Sequence, residues 1–401
     1  MAGGSARELI EMADERRRRA TSLPGTLRRS GPGSRRSSMN QPLGRAWKKA
    51  VAFCSLLATA AVAAAEPLSV ETATELPSFF AMSLSPDGRH VAAVGRVRLA
   101  TVVVLIDADT LAAKPITGTE GDGPLPVAPR WIGNGLIGVE TITNTHVVDL
   151  EGRHILNLQG RYLKTLPPDA TGHERVLTRG RRDDRHIHQV DIRSGVERLM
   201  TFDMPGEPLV WISDADGVPR VVTTTASERS TDITTITHWY RPTFNDPWQK
   251  LASFRYPDVD WWPSSFTADG QSLRIRSTVG SDTVAFQRYD LKERRIAELL
   301  AGHPFEDIRR MGTEDGGDDA VSVVTEGMKP TFFWFDPDWS RLQQSIDAAL
   351  PDRVNLLSGN PKGRVLIRSA GDVDPGQWFL LDTASMKLRK LAAERPGIQP
   401  G

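Results

Sequence analysis

FAMSLSPDGRHVAAVG, residues 80–95, is the stretch whose reading decides the fold. An apolar run meets an Asp-Gly pair and restarts as a second apolar run. Asp-Gly suits a turn whose residues need φ above zero, so the segment reads as a β-hairpin. The design recurs along the chain. Turn glycines fall at Gly88, Gly135, Gly172, Gly217, Gly270, Gly316 and Gly363, in steps of 47, 37, 45, 53, 46 and 47 residues. ISDADG (212–217), FTADG (266–270), GTEDG (312–316) and GNPKG (359–363) repeat its chemistry.

A second signature lies within the units, an apolar strand ending in Asp before another turn. It reads VVVLID to Asp107, THVVD to Asp149, IHQVD to Asp191, FQRYD to Asp290, FFWFD to Asp336 and WFLLD to Asp382. The fourth unit departs from it, with HWYRP (His238 to Pro242) in that place. Two hairpins per unit make four strands, and a repeat in the mid-forties is the length of a propeller blade. The expected fold is therefore all-β, a seven-bladed β-propeller of four-stranded antiparallel blades. Strands such as TVVVLI (101–106), apolar at consecutive positions, fit sheets covered on both faces by neighbouring blades. Residues 341–350 (RLQQSIDAAL) read as one short helix before blade seven. Blade one begins near Phe79 and blade seven finishes near Leu391, which leaves no strand to clasp the ring. Closure by packing alone is expected, with Leu68 to Thr72 as the alternative closing strand.

Composition is that of a soluble globular protein: 401 residues, 39% hydrophobic and 25% charged. The formal net charge is +0, with an asymmetry beneath it. Residues 1–38 carry nine Arg against four acids, and residues 39–65 carry three basic residues and no acid. Subtracting them leaves 50 − 12 = 38 basic against 50 − 4 = 46 acidic residues, so residues 66–401 stand at −8. An acidic body gives no electrostatic footprint for nucleic acid.

Residues 39–65 read as a signal peptide. Arg45, Lys48 and Lys49 form a basic region, Ala50 to Val62 an apolar one, and Ala63-Ala64-Ala65 a small-residue cleavage site before Glu66. Membrane attachment is expected only if this segment stays uncleaved, and the location is periplasmic or secreted. The only cysteine, Cys54, lies inside it, so export rests on the signal and not on cysteine usage. Residues 1–38, with Arg16–Arg19 and many Ser, Gly and Pro, read as a disordered basic extension ahead of a start at Met39. Residues 66–396 are then the propeller, and residues 397–401 a truncated linker.

Four stretches carry a family resemblance: residues 80–95, VWISDADGVPRVV (210–222), FTADGQSLRI (266–275) and DPGQWFLLDTASMKLRKLAAERP (374–396). In this order they resemble the N-terminal propeller of the prolyl oligopeptidase (S9) family of serine peptidases, the dipeptidyl aminopeptidase and acylaminoacyl peptidase type. The resemblance implies a propeller that covers an active site and restricts access to short peptides, with an α/β-hydrolase domain as its catalytic half. The nucleophile of such a domain sits on a G-x-S-x-G elbow. No G-x-S-x-G occurs in the 401 residues, so no catalytic residue carries over. The expectation is a gating propeller without catalysis of its own, truncated or split from its peptidase. Its partner would be a separately encoded α/β-hydrolase domain, or a peptide or protein at the channel. The alternative is a stand-alone, TolB-like periplasmic propeller that binds a protein or peptide.

Other motifs read more simply as structure, and no catalytic, cofactor-binding or metal residue is assigned. His186 and His188 share one strand face but lack a third metal ligand. Asp214, Asp216 and Gly217 open like a calcium loop without its later ligands, so turn chemistry is preferred. Asp183 and Asp184, and the run Glu314, Asp315, Asp318 and Asp319, read as solvated turns. Arg179, Arg181 and Arg182 could meet a substrate carboxylate, with an exposed basic turn as the simpler reading. Trp239, Tyr240, Trp248, Tyr256, Trp261 and Trp262 concentrate aromatic surface mid-chain, read as packing ahead of peptide binding.

Overall fold

A computed structural model describes residues 77–97, 100–119, 126–141, 144–180, 186–228, 233–311, 322–325, 327 and 329–398. The N-terminal extension, the signal segment with Cys54, Leu68 to Thr72, Arg181 to Asp184 and the run from Glu314 to Asp319 lie outside them.

Seven sheets succeed one another along the chain, each made of consecutive antiparallel strands. Blade one holds β1 (Phe79–Leu84), β2 (His90–Val97), β3 (Ala100–Asp107) and β4 (Ala113–Thr119). Blade two holds β5 (Pro126–Ile132), β6 (Leu136–Thr141), β7 (Thr145–Asp149) and β8 (His154–Leu158). Blade three holds β9 (Arg161–Leu166), β10 (Arg175–Arg179), β11 (Ile187–Asp191) and β12 (Glu197–Leu199). Blade four holds β13 (Glu207–Ser213), β14 (Pro219–Glu228), β15 (Ile233–Tyr240) and β16 (Gln249–Arg255). Blade five holds β17 (Trp261–Phe266), β18 (Ser272–Ser277), β19 (Ala285–Asp290) and β20 (Arg295–Ala301). Blade six holds β21 (Ile308–Met311), β22 (Ser322–Thr325) and β23 (Phe332–Trp334), and blade seven β24 (Val354–Gly359), β25 (Arg364–Gly371), β26 (Asp374–Asp382) and β27 (Lys387–Ala393).

The consecutive apolar positions are explained by the clusters between blades. In β2, Val91 and Ala93 face blade seven while Ala92 and Val94 face blade two. In β3, Val104 and Ile106 take the first side and Val103 and Leu105 the second. A two-residue period delivers alternate side chains to two cores, so both must be apolar. The same logic joins Ile132 and Val147 to Val176 and Val190, and Ile212 and Val221 to Leu273 and Ile275.

Blade six breaks the four-stranded rule expected from the repeat, with three strands among the described residues. The cause is local. Asp336 caps a helix, α1 (Pro337–Ala349), by accepting the Asp338 N–H at 2.7 Å, and Pro337 supplies a preset φ for its first turn. Elsewhere the same Asp opens a turn into a fourth strand. The helix starts four residues before its expected first residue, Arg341. It lays Trp339, Leu342 and Ile346 on Leu357, Val365 and Leu381 of blade seven.

Among the described residues no strand is exchanged between the first and last blades. The seam is closed by Met82, Leu84, Val91 and Ile106 against Leu366, Trp378 and Leu380. Arg364 donates to Gly88 O at 3.0 Å and pairs with Asp109, and Arg389 donates to Asp109 O at 2.7 Å and to Ala108 O. Ser78 N–H donates to Glu394 O at 2.6 Å, so the start of blade one and the end of blade seven meet directly.

Candidate functional site

The strand order gives the ring two unlike faces. One carries the turns between first and second and between third and fourth strands, and is here the turn face. The other carries the blade-to-blade connections and the loops between second and third strands, and is here the connection face. Ser78 precedes β1 and Glu394 comes after β27, so their hydrogen bond lies on the connection face.

First strands are the innermost, because β1 meets both β5 and β24, and β13 meets β17. Their edges form the channel wall. In five consecutive blades this strand has a one-residue bulge opposite its neighbour, at Phe80, Val127, Leu163, Leu209 and Ser264. A bulge re-aims the side chains beyond it. Phe79 packs towards blade seven and Ala81 towards blade two, although simple alternation would place both on one side. Tyr162 joins the core with blade two, whereas Lys164 reaches Asp214 O in blade four at 2.7 Å. In blades one to three the extra residue belongs to neither covered core and is left at the edge. Phe80, Val127 and Leu163 are accordingly 38%, 40% and 37% exposed although apolar.

On the turn face the recurrent Asp of the third strand has one task. Asp107 accepts the N–H groups of Asp109 and Thr110, Asp191 that of Ser194, Asp290 those of Lys292 and Glu293, and Asp382 that of Ser385. Hydrogen bonds to the ionised form favour it. The Ser194 N–H bond, with its hydroxyl and His173 beside it, holds Asp191 down to about 2. Gly217, at φ +81, sits in one such face turn, and a Cβ there would come within 2.6 Å of Leu166 in the adjacent blade.

Asp169, His173 and Asp191 come together on blade three, the donor atoms lying within 4.8 Å of one another. Each is already engaged. His173 Nδ1 lies 2.9 Å from Asp191 Oδ2, and Asp169 Oδ1 accepts the N–H groups of Thr171 and His173. A divalent cation has these ligands within reach, but it would have to replace bonds that hold the turns. Sequence inspection missed the trio because β11 supplies Asp191 from eighteen residues away. The recurrent Asp was its only advance sign.

The fourth blade shows what replaces that Asp. Register pairs Val221 with Tyr240, so Tyr240 takes the Asp position and accepts Arg220 Nη2 at 2.8 Å. Arg241 comes next, where other blades bury Ala108 or Ile192, and its side chain is 0% exposed. Its guanidinium donates to Pro219 O and Phe244 O, both at 2.9 Å, and to Asp203 Oδ1 at 3.2 Å. The rings of Phe244 and Trp248 lie 4.9 and 4.4 Å from it. Beside this, His238 is buried between Thr223 Oγ1 and Trp261 O, each 2.9 Å away. Burial pushes it down to about 4.

The other sequence candidates stay apart. His186 Nδ1 lies 2.8 Å from Thr201 O, while His188 approaches Glu197 at 3.7 Å. Asp214 accepts the Val218 N–H at 2.9 Å as a turn residue, and burial raises its pKa. Trp261 stacks on Tyr289 at 4.8 Å and shares a core with Ile212 and Val221 of blade four, and Trp239 Nε1 donates to Thr224 Oγ1 at 2.9 Å, so these aromatics pack within and between blades. Arg179 sits on β10 directly across from Arg161. No helix among the described residues is long and apolar enough to cross a membrane.

Fold and faces define a seven-bladed β-propeller whose seam, among the described residues, is not laced by a shared strand. Among solved structures it is similar to the β-propeller domain of the Trilobed protease from Pyrococcus furiosus, with 13% identity, 82% of this chain and 100% of that one covered, and a TM-score of 0.48. It is likewise similar to a puromycin-hydrolyzing peptidase of Mycobacterium tuberculosis (13% identity, 83% and 56% covered, TM-score 0.48) and to a puromycin hydrolase (16% identity, 82% and 55% covered, TM-score 0.45). The chain thus spans little more than half the length of these two hydrolases. No family model matches the chain, and no curated protein sequence does.

Proposed function

We propose that this chain is the gating part of a serine peptidase, an exported propeller without chemistry of its own that admits short peptides to an α/β-hydrolase partner. The observation that carries the reading is the meeting of Ser78 and Glu394 on the connection face. A domain joined there, by a continuing chain or by docking, lies over the channel mouth. The seam adds support, because among the described residues it is joined by side-chain packing and single hydrogen bonds, and such a joint parts more readily than one laced by a shared strand. No G-x-S-x-G occurs in the chain, so the nucleophile must come from the partner. Export rests on residues 39–65.

A fluorophosphonate probe applied to the purified chain, alongside aminoacyl and prolyl peptide reporters, tests the reading. Neither labelling nor turnover is expected. The probe applied to native protein from the producing cell should label a hydrolase that travels with the propeller. Labelling of residues 66–401 themselves overturns the reading, and so does native material free of any labelled hydrolase.

A further inference from the structure

The channel wall is not uniform. Phe80, Val127 and Leu163 belong to the first strands of three adjacent blades, and each is exposed where its strand bulges. They form an apolar arc on one side of the mouth. The bulges also interrupt the edge that a guest strand would need for regular backbone pairing. Recognition along this arc must therefore run through side chains and not through an added strand.

Charge marks the same arc. Arg161 is exposed on β9, two residues from Leu163, and lies directly across from Arg179. Arg96 is exposed at the connection-face end of β2, and its backbone N–H reaches Ser78 O at 2.9 Å. At the connection-face strand ends of blades one to three, the one carboxylate among the described residues is Glu140, paired with Arg130 at 3.3 Å. Residues 66–401 stand at −8 (38 basic against 46 acidic), so a cationic margin beside an apolar arc complements a ligand that is itself anionic and apolar.

We propose that the channel mouth of blades one to three binds the C-terminal end of an extended peptide, with its α-carboxylate at Arg161 and its apolar side chains on Phe80, Val127 and Leu163. A guanidinium matches a carboxylate in a two-pronged geometry, which a lysine ammonium does not reproduce. The proposal rests on the gating reading for its choice of a peptide over other carboxylates. It does not need a hydrolase to be present.

Isothermal titration of the full chain with acetyl-Ala-Ala-Ala-Leu-Phe, as free acid and as C-terminal amide, tests it. The acid is expected to bind about tenfold more tightly than the amide, one charge-assisted contact's worth. Arg161→Gln should remove that preference and leave the amide's affinity unchanged, and Arg161→Lys should restore part of it. Leu163→Ser should weaken acid and amide together, about fivefold, and keep their ratio, since it removes apolar contact alone. Melting temperatures equal to wild type establish that the variants fold. Absence of binding, equal binding of acid and amide, or a preference that survives Arg161→Gln overturns the proposal. Dodecanoate binding more tightly than the peptide overturns it in favour of a fatty acid. Cleavage of the peptide during titration, read by mass spectrometry, counts against the non-catalytic reading and leaves this site standing.

Discussion

On the turn face Asp107, Asp191, Asp290 and Asp382 fold their carboxylates onto backbone N–H groups, while Arg364 and Arg389 cross from blade seven to blade one. On the connection face Phe202, Val279, Phe305 and Val373 stand exposed in the loops, and Phe80, Val127 and Leu163 at the channel edge. The turn face has only Val196 and Met386 among exposed large apolar side chains of its described turns. Full burial of such a side chain is worth about 1.5–3 kcal/mol, which the connection face leaves ungained. One face holds its described turns together with its own carboxylates and backbone N–H groups. The other is the face on which a partner would gain most, and the first and last blades meet there through Ser78 and Glu394.

If that contrast is right, changes beneath the turn face should cost stability. Arg241→Met is the severest case. The methionine fills the stem's volume but leaves Pro219 O and Phe244 O without their donor and removes the cation from Phe244 and Trp248. A loss of about 3 kcal/mol is expected in urea unfolding, since each buried group left unpaired costs about 1–3 kcal/mol. A loss below about 1 kcal/mol would mean that the turn from Arg241 to Trp248 holds itself without the guanidinium.

Acid should single out the same region. His238, held at about 4 by burial, faces an unfolded chain whose histidine titrates near 6.5. Above pH 6.5 neither state binds the proton and the stability is intact. As the pH falls below 6.5 the unfolded chain takes up a proton that the folded ring refuses, so stability drops by about 3 kcal/mol by pH 4. His238→Gln should flatten that slope between pH 6.5 and 4, whatever it costs at neutral pH. An unchanged slope assigns the acid sensitivity elsewhere.

The seam should yield less. Arg364→Ala combined with Arg389→Ala removes the polar links to Gly88, Ala108 and Asp109 but spares the core of Met82, Leu366 and Trp378. Asp109 is largely exposed, so solvent discounts its pairing, and about 1–2 kcal/mol is expected in all. Amide exchange should quicken in β1 and β25 while blade four stays as protected as before. Uniform quickening would show that the ring opens as one unit and not at this joint.

Most of this architecture is legible in the sequence because the repeat has a local cause. A turn glycine and a strand-ending Asp each answer a backbone requirement within a few residues, so both leave a mark at fixed spacing. The elements that escape such a reading depend on partners far along the chain. The bulges at Phe80 and Leu163 add one residue without changing composition, and only the registers with β2 and β10 reveal them. Arg241 reads as a break in the pattern at HWYRP, yet it organises its turn by other means, and its acceptors come from residues 203 and 219 as well as 244. Blade six departs from its expected four strands for a related reason. FFWFD resembles its five counterparts, but the adjoining Pro337 turns the same Asp into a helix cap.

The smallest expected effect discriminates best between the two faces. Phe305, 87% exposed, lies in the connection between blades five and six, with the His303 ring 6.3 Å away edge-on. Val373, 72% exposed, tips the loop between β25 and β26. Phe305→Ser and Val373→Ser each remove an apolar group that water already surrounds in the folded chain, so stability should stay within about 0.5 kcal/mol of wild type. Binding of the dye ANS to the native ring should nevertheless fall, because the open apolar surface falls. A turn-face control of comparable exposure, Val196→Ser, should leave dye binding nearly unchanged, its side chain standing alone among ion pairs and Asx turns. Equal loss of dye binding from both faces would dissolve the contrast, leaving scattered apolar residues of the kind any protein surface carries. A loss confined to the connection face, with stability untouched, would mark those side chains as held open for contact and not for folding.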